Sequence, residues 1–145
     1  MNRLHAALAI ASLLAAGCGS SSSPASPSAA SFAGAWDGKV LAAPQGILTT
    51  AALLHLALDT SATQLAGTWT MTFPNGHPNV GGTASGVVNA DGSAMSVTLA
   101  STGNCPVAVS GTLNGMGTQI TGQYSESTDC RFGIVAGSDI TFTKQ

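Results

Sequence analysis

The chain has 145 residues, only 7% of them charged, and a formal net charge of −2. An ordinary domain carries ~25% charged residues; here Ser, Thr, Gly and Ala fill the space instead. The length suits one domain, the lack of a basic patch argues against nucleic acid as a partner, and few aromatics with many small residues favour strands and turns over a helical bundle.

The N-terminus reads as an address. Arg3 supplies one positive side chain, His5 follows, and residues 6–16 are apolar apart from Ser12. A short charged start and a brief apolar run suit a secretory signal. A membrane-spanning helix needs ~20 apolar residues, so this run is too short to span. The run ends in Leu14-Ala15-Ala16-Gly17-Cys18, which resembles the bacterial lipobox, with Ala15 where leucine is usual and Leu14 one place early. The other reading is an ordinary cleaved signal with Cys18 incidental. The resemblance implies that residues 1–17 are a lipoprotein signal peptide. It implies that Cys18 becomes the lipidated N-terminus, carrying diacylglycerol and an N-acyl chain such as palmitate. Gly19, not Asp, follows the cysteine, which by that family's sorting rule implies the bacterial outer membrane. At ~0.8 kcal/mol per buried CH₂, several such chains anchor a protein without a spanning helix.

Residues 19–31 are Ser, Pro, Ala and Gly, with no charge and no large apolar side chain. Such a segment buries too little to offset its ordering entropy. Residues 18–31 therefore read as a lipidated cysteine and a flexible tether, with a single domain over 32–145.

Within that domain, period-2 alternation dominates. Weak strands are expected around 34–41 and 83–89. Leu54, Leu56 and Leu58 alternate with His55 and Ala57. From Leu65 to Phe73 the odd positions are large or Gly, and the even ones are Ala and Thr. Met95, Val97 and Leu99 form the next strand, followed by Val107, Val109, Gly111 and Leu113. Ile120, Gly122 and Tyr124 make a seventh, and Ile140 and Phe142 an eighth. Turn chemistry separates them: Pro44-Gln45-Gly46, the polar residues 59–63, Pro74-Asn75-Gly76, Asp91-Gly92 and Asn114-Gly115. No helical pattern intervenes, so parallel crossovers are not expected. The reading is an all-β, about eight-stranded antiparallel up-and-down barrel, whose closure removes exposed edges. A weak repeat of apolar, small, Gly, polar recurs at Gly67, Gly111 and Gly122. These inward glycines either relieve crowding where strands coil or leave room for a ligand.

The domain opens with Phe32-Ala33-Gly34-Ala35-Trp36, which resembles the F-x-G-x-W start of the calycins, the lipocalins and their relatives. The resemblance implies a small barrel in which Trp36 closes one end and Lys144, on the last strand, packs over it by cation–π contact. The domain is shorter than a classical lipocalin. Avidin-type barrels line the biotin site with several Trp; only Trp36 and Trp69 occur here, so biotin is not implied.

With Cys18 taken by lipid and the chain exported to an oxidising compartment, Cys105 and Cys130 remain as a disulfide pair. The two would sit in loops before the sixth and eighth strands, at one end of the barrel. Closing that loop is worth ~3.5 kcal/mol in the chain-entropy picture.

Catalytic chemistry finds no foothold in the sequence. His55 and His77 lie far apart with no acidic residue at metal-ligand spacing, so no metal site is expected. Glu126 and Asp129 flank Cys130 beside Arg131, which reads as a solvated hairpin tip rather than an acid/base pair. No nucleophile elbow, phosphate loop or dinucleotide fingerprint occurs. A non-enzymatic barrel without a cofactor is the expectation. Two partner classes remain. One is an envelope protein held by loops 74–82, 101–106 and 125–132. The other is a small apolar ligand or lipid inside the barrel, lined by Leu54, Leu56, Trp69, Met71, Phe73 and Tyr124, which serve equally well as core. The cysteine assignment has a direct check. Intact mass without reductant, after alkylation of the folded protein, should show no alkylatable thiol at Cys105 or Cys130; labelling of both would refute the pairing.

Overall fold

Strands that bury one face and wet the other must find partners for their backbone groups. In the computed structural model they do so by forming a ring. The structure describes residues 28–42, 50–74, 76, 78–101, 104–126 and 138–145, without the side chains of residues 42, 50, 104, 105, 126 and 138. A short 3₁₀ turn, Ala29–Phe32, leads into β1 (Gly34–Ala42). Then follow β2 (Thr50–Ser61), β3 (Gln64–Thr72), β4 (Val80–Val88) and β5 (Ala94–Ser101). The chain ends with β6 (Asn104–Leu113), β7 (Gln119–Glu126) and β8 (Ser138–Lys144). Each strand pairs antiparallel with the next, and β8 returns to β1, so the sheet is a closed eight-stranded barrel.

The expected alternation is the observed one. Leu54, Leu56 and Leu58 of β2, Leu65, Trp69 and Met71 of β3, and Met95, Val97 and Leu99 of β5 all face a single buried cluster. Val107, Val109 and Leu113 of β6, Ile120 and Tyr124 of β7, and Ile140 and Phe142 of β8 belong to it as well. No polar or charged residue belongs to this core among the described residues.

Up-and-down connectivity sorts the connections onto two ends. The β2–β3, β4–β5 and β6–β7 turns share one end with the 3₁₀ turn and the C-terminus. The β1–β2, β3–β4, β5–β6 and β7–β8 connections share the other. We call these the closed end and the loop end.

Two boundaries differ from the sequence reading. The packed unit begins before Phe32: Ala29 packs on the core and the Ser31 carbonyl accepts a hydrogen bond from Lys144 (3.1 Å). Composition could not show this, because the binding groups are backbone. Cys105, expected ahead of the sixth strand, lies within β6. Ser101 pairs with Asn104, and the register shifts between Leu99 and Ser101. Cys105 and Pro106 thus oppose the single residue Ala100. Pro106 has no N–H to give a ladder, and a bulge is where such a residue fits. The expected loop 101–106 shrinks accordingly to residues 102–103.

The inward glycines settle on packing. A Cβ on Gly67 would lie 1.9 Å from the Ala57 carbonyl oxygen, and one on Gly122 would lie 1.8 Å from that of Ser110. The neighbouring strand's backbone occupies the space, as tight coiling of a small barrel requires. These glycines therefore hold no room for a ligand. Gly122→Ala should cost about 3 kcal/mol or more through forced backbone movement, read as a lower urea midpoint. Gly115→Ala, with nothing within 4 Å of the added carbon, should leave the midpoint nearly unchanged. Equal midpoints for the two variants would refute the coiling argument.

Candidate interaction surface

The closed end is built around Trp36. Its ring is fully buried, and its Nε1 donates to the Phe32 carbonyl (2.8 Å). Lys144 Nζ sits 5.1 Å from the centre of that ring and donates to the Ser31 carbonyl. Both partners of the cation are thus fixed, one face by π-density and one proton by a carbonyl. Gly34 makes the fit possible. Its φ is +119°, and an added Cβ would lie 3.1 Å from Lys144 Cε. Only glycine holds that backbone without strain. Phe32, Gly34, Trp36 and Lys144 therefore form one device, with its 3₁₀ turn drawn across the barrel mouth.

The residues weighed as a ligand lining all stand in the core. Leu54, Leu56, Trp69, Met71 and Tyr124 are at most 3% exposed and Phe73 is 8% exposed. Two of them carry polar tips with defined partners. Trp69 Nε1 donates to the Ala100 carbonyl (3.0 Å), two strands away. Between them lies Gly82, directly opposite Trp69 on β4, which presents no side chain to block the indole. Tyr124 reaches from β7 to β1. Its hydroxyl donates to the Leu41 carbonyl (2.9 Å) and accepts the Leu41 N–H (3.0 Å). This contact has a structural reason. β1 pairs with β8 only at Trp36, Asp37 and Gly38. Beyond Gly38 the two strands have no further paired residues among the described ones, and the tyrosine hydroxyl supplies both hydrogen bonds at Leu41 in place of a strand.

On the outer wall, β1 and β2 place Asp37 directly opposite His55. The Asp37 carboxylate meets His55 Nδ1 at 2.6 Å, with both side chains partly exposed. The sequence reading set His55 on a wet face but missed its acidic partner, because the two are joined only by register. Beside this pair an open groove of about 470 Å³ runs along the β1–β8 seam, lined by Asp37, Gly38, Lys39, Leu53, Thr141 and Thr143. A second groove of about 290 Å³ adjoins it towards the loop end, lined by Lys39, Ala51, Ala52, Leu53, Thr72 and Pro74. Leu41 and Leu53 are 48% and 43% exposed on this face. Sequence alternation alone could have found both as outward apolar residues, since each stands next to a buried inward one, Val40 or Leu54.

The expected loop contacts 74–82, 101–106 and 125–132 fall at the loop end, partly within β4, β6 and β7, on the same side as the apolar face of Leu41 and Leu53. Cys18, His77, Asp129, Cys130 and Arg131 lie outside the described residues, as do the side chains of Cys105 and Glu126. Among the described residues no three metal-binding side chains come together, and no helix is long and apolar enough to cross a membrane. No protein-family model matches the chain, and a search of curated proteins finds no relative.

The Tyr124 contact makes a local prediction. Tyr124→Phe removes both hydrogen bonds at Leu41 and should cost about 1–3 kcal/mol. Amide exchange should accelerate at Leu41 and its neighbours in β1 well before the β2–β3 ladder responds. Uniform acceleration across all strands, or none, would contradict the role given to the hydroxyl.

Proposed function

We propose that this chain is an exported bacterial lipoprotein, held in the outer membrane by acyl chains on Cys18. Its barrel is a non-catalytic module that grips another envelope protein with its loop end and the adjoining β1–β2 face. The observation that carries the reading is the polarity of the barrel. The chain enters at the closed end, through the 3₁₀ turn under Lys144. The longer connections lie at the opposite end. A tether of residues 19–27 reaches at most about 3.3–3.6 Å per residue, so it keeps the closed end within about 30 Å of the membrane and leaves the loop end free to face away. The exposed pair Leu41 and Leu53 gives that end an apolar contact, the kind of feature that interfaces use at their centres. The burial of Leu54, Leu56, Trp69, Met71, Phe73 and Tyr124 in the core favours a partner met outside the barrel over a ligand held by those side chains.

The reading divides into two tests. Cys18→Ser should abolish metabolic fatty-acid labelling and move the protein from the membrane to the soluble fraction; a variant still labelled and sedimenting with membranes would refute the anchor. Full-length protein extracted in detergent should capture a defined envelope protein, and Leu41→Asp with Leu53→Asp should lose at least about tenfold of that capture. Capture of nothing above background, or capture unaffected by the double substitution, would refute the interaction surface.

A further inference from the structure

Two turns at the closed end share one frame. Asn89 and Asn114 each begin a turn, and the carbonyl of each accepts a glycine N–H at 3.0 Å, from Gly92 and Gly117 respectively. Both glycines have positive φ, 74° and 69°. In both turns the Asn side chain folds back over the loop. They differ in what surrounds the side-chain amide. Asn114 Oδ1 accepts two backbone N–H groups, from Thr118 (2.9 Å) and Gln119 (3.2 Å), and Asn114 Nδ2 donates to Thr118 Oγ1 (3.3 Å). Asn89 Oδ1 accepts only one, from Ala94 (2.9 Å). Its Nδ2 donates to Ser93 Oγ, whose own proton is committed to Asp91 (2.6 Å), and the Ser93 N–H is held by that same carboxylate. The next residue also differs: Gly115 after Asn114, Ala90 after Asn89.

We propose that Asn114 is a modification site, at which the folded turn promotes its own deamidation. The chemistry needs a nucleophile, donors for a developing oxyanion and a proton for the leaving group. The Gly115 nitrogen is the nucleophile. Gly115 carries no Cβ, nothing lies within 4 Å of where one would sit, and its N–H has no hydrogen-bond acceptor among the described residues. After solvent hydroxide removes its proton, this nitrogen attacks Asn114 Cγ. The carbonyl electron pair moves onto Oδ1, where the N–H groups of Thr118 and Gln119 already point; two such donors form an oxyanion hole. The Cγ–Nδ2 bond then breaks. The nitrogen, now with a free lone pair, leaves as ammonia, taking a proton from the Thr118 hydroxyl as it turns from acceptor to donor, and water restores that proton. Water opens the resulting succinimide at either carbonyl and leaves aspartate or isoaspartate at position 114. At Asn89 the sole N–H donor, the committed Ser93 proton, the Asp91 charge and the Ala90 methyl all oppose the same steps.

The site bears on the closure of the barrel. The Thr118 carbonyl accepts the Lys144 N–H at 2.9 Å, so the residue that cages Asn114 also holds the strand bearing the Trp36 cation. Isoaspartate would lengthen the backbone inside that turn and add a negative charge.

The test incubates the full-length protein, folded, in mildly alkaline buffer, and follows peptides by mass with an enzymatic isoaspartate assay. The peptide holding Asn114 should gain about 1 Da at least about tenfold faster than that holding Asn89, the scale expected for one oxyanion donor or less. Gly115→Ala should slow Asn114 towards, but not down to, the rate at Asn89, because the donors from Thr118 and Gln119 remain, and its open surroundings leave the fold intact. Thr118→Val keeps the backbone donors and should slow the folded reaction while leaving the rate in denaturing urea unchanged. Asn114 that reacts only after denaturation, equal rates at the two asparagines, or a Thr118→Val protein as reactive as the parent would each overturn the proposal.

Discussion

The structure depends on closing the sheet between its first and last strands. Every other neighbouring pair is consecutive in the chain, so a single connection ties its two strands together. β1 and β8 have no such link, and their ladder covers only Trp36, Asp37 and Gly38. Side chains supply what the short ladder does not. At the closed end, Lys144 is held between the Trp36 ring and the Ser31 carbonyl. Further along, the Tyr124 hydroxyl hydrogen-bonds both backbone groups of Leu41. Both devices put a polar tip on a buried apolar body, which adds directional contacts without leaving a buried polar group unpaired.

The same closure explains the glycines. A ring of eight strands coils sharply, and at Gly67 and Gly122 a neighbour's carbonyl leans into the inner face. At Gly82 the missing side chain has a second consequence, because it lets Trp69 pass to the Ala100 carbonyl. Backbone crowding and cross-strand hydrogen bonding are thus met by one residue type.

Polarity follows from topology. An up-and-down ring with its N-terminus at one end must place alternate connections at opposite ends. The short turns and the chain entry share the closed end, where Asn89 and Asn114 tie their loops with side-chain hydrogen bonds. The longer connections gather at the loop end beside the exposed Leu41 and Leu53. Entry at one pole and longer loops at the other give the domain a direction, on which the proposed tethered binding role rests.

Much of this was legible in the chain. Period-2 alternation named the strands and their inward residues, because the pleat forces the pattern and one buried face preserves it. The hairpin at Asn114-Gly115 was readable from turn chemistry, and the short signal-like run bore on placement without any fold. Only the tertiary structure decided what depends on register and on distance across the ring. It set Asp37 against His55, brought Tyr124 to Leu41, put a bulge at Cys105 and Pro106, and drew the Ser31 carbonyl into the core's rim. The reason is physical. Alternation is a property of one strand and is written locally. Closure joins residues 83 to 113 positions apart, in part through backbone groups that every residue type shares.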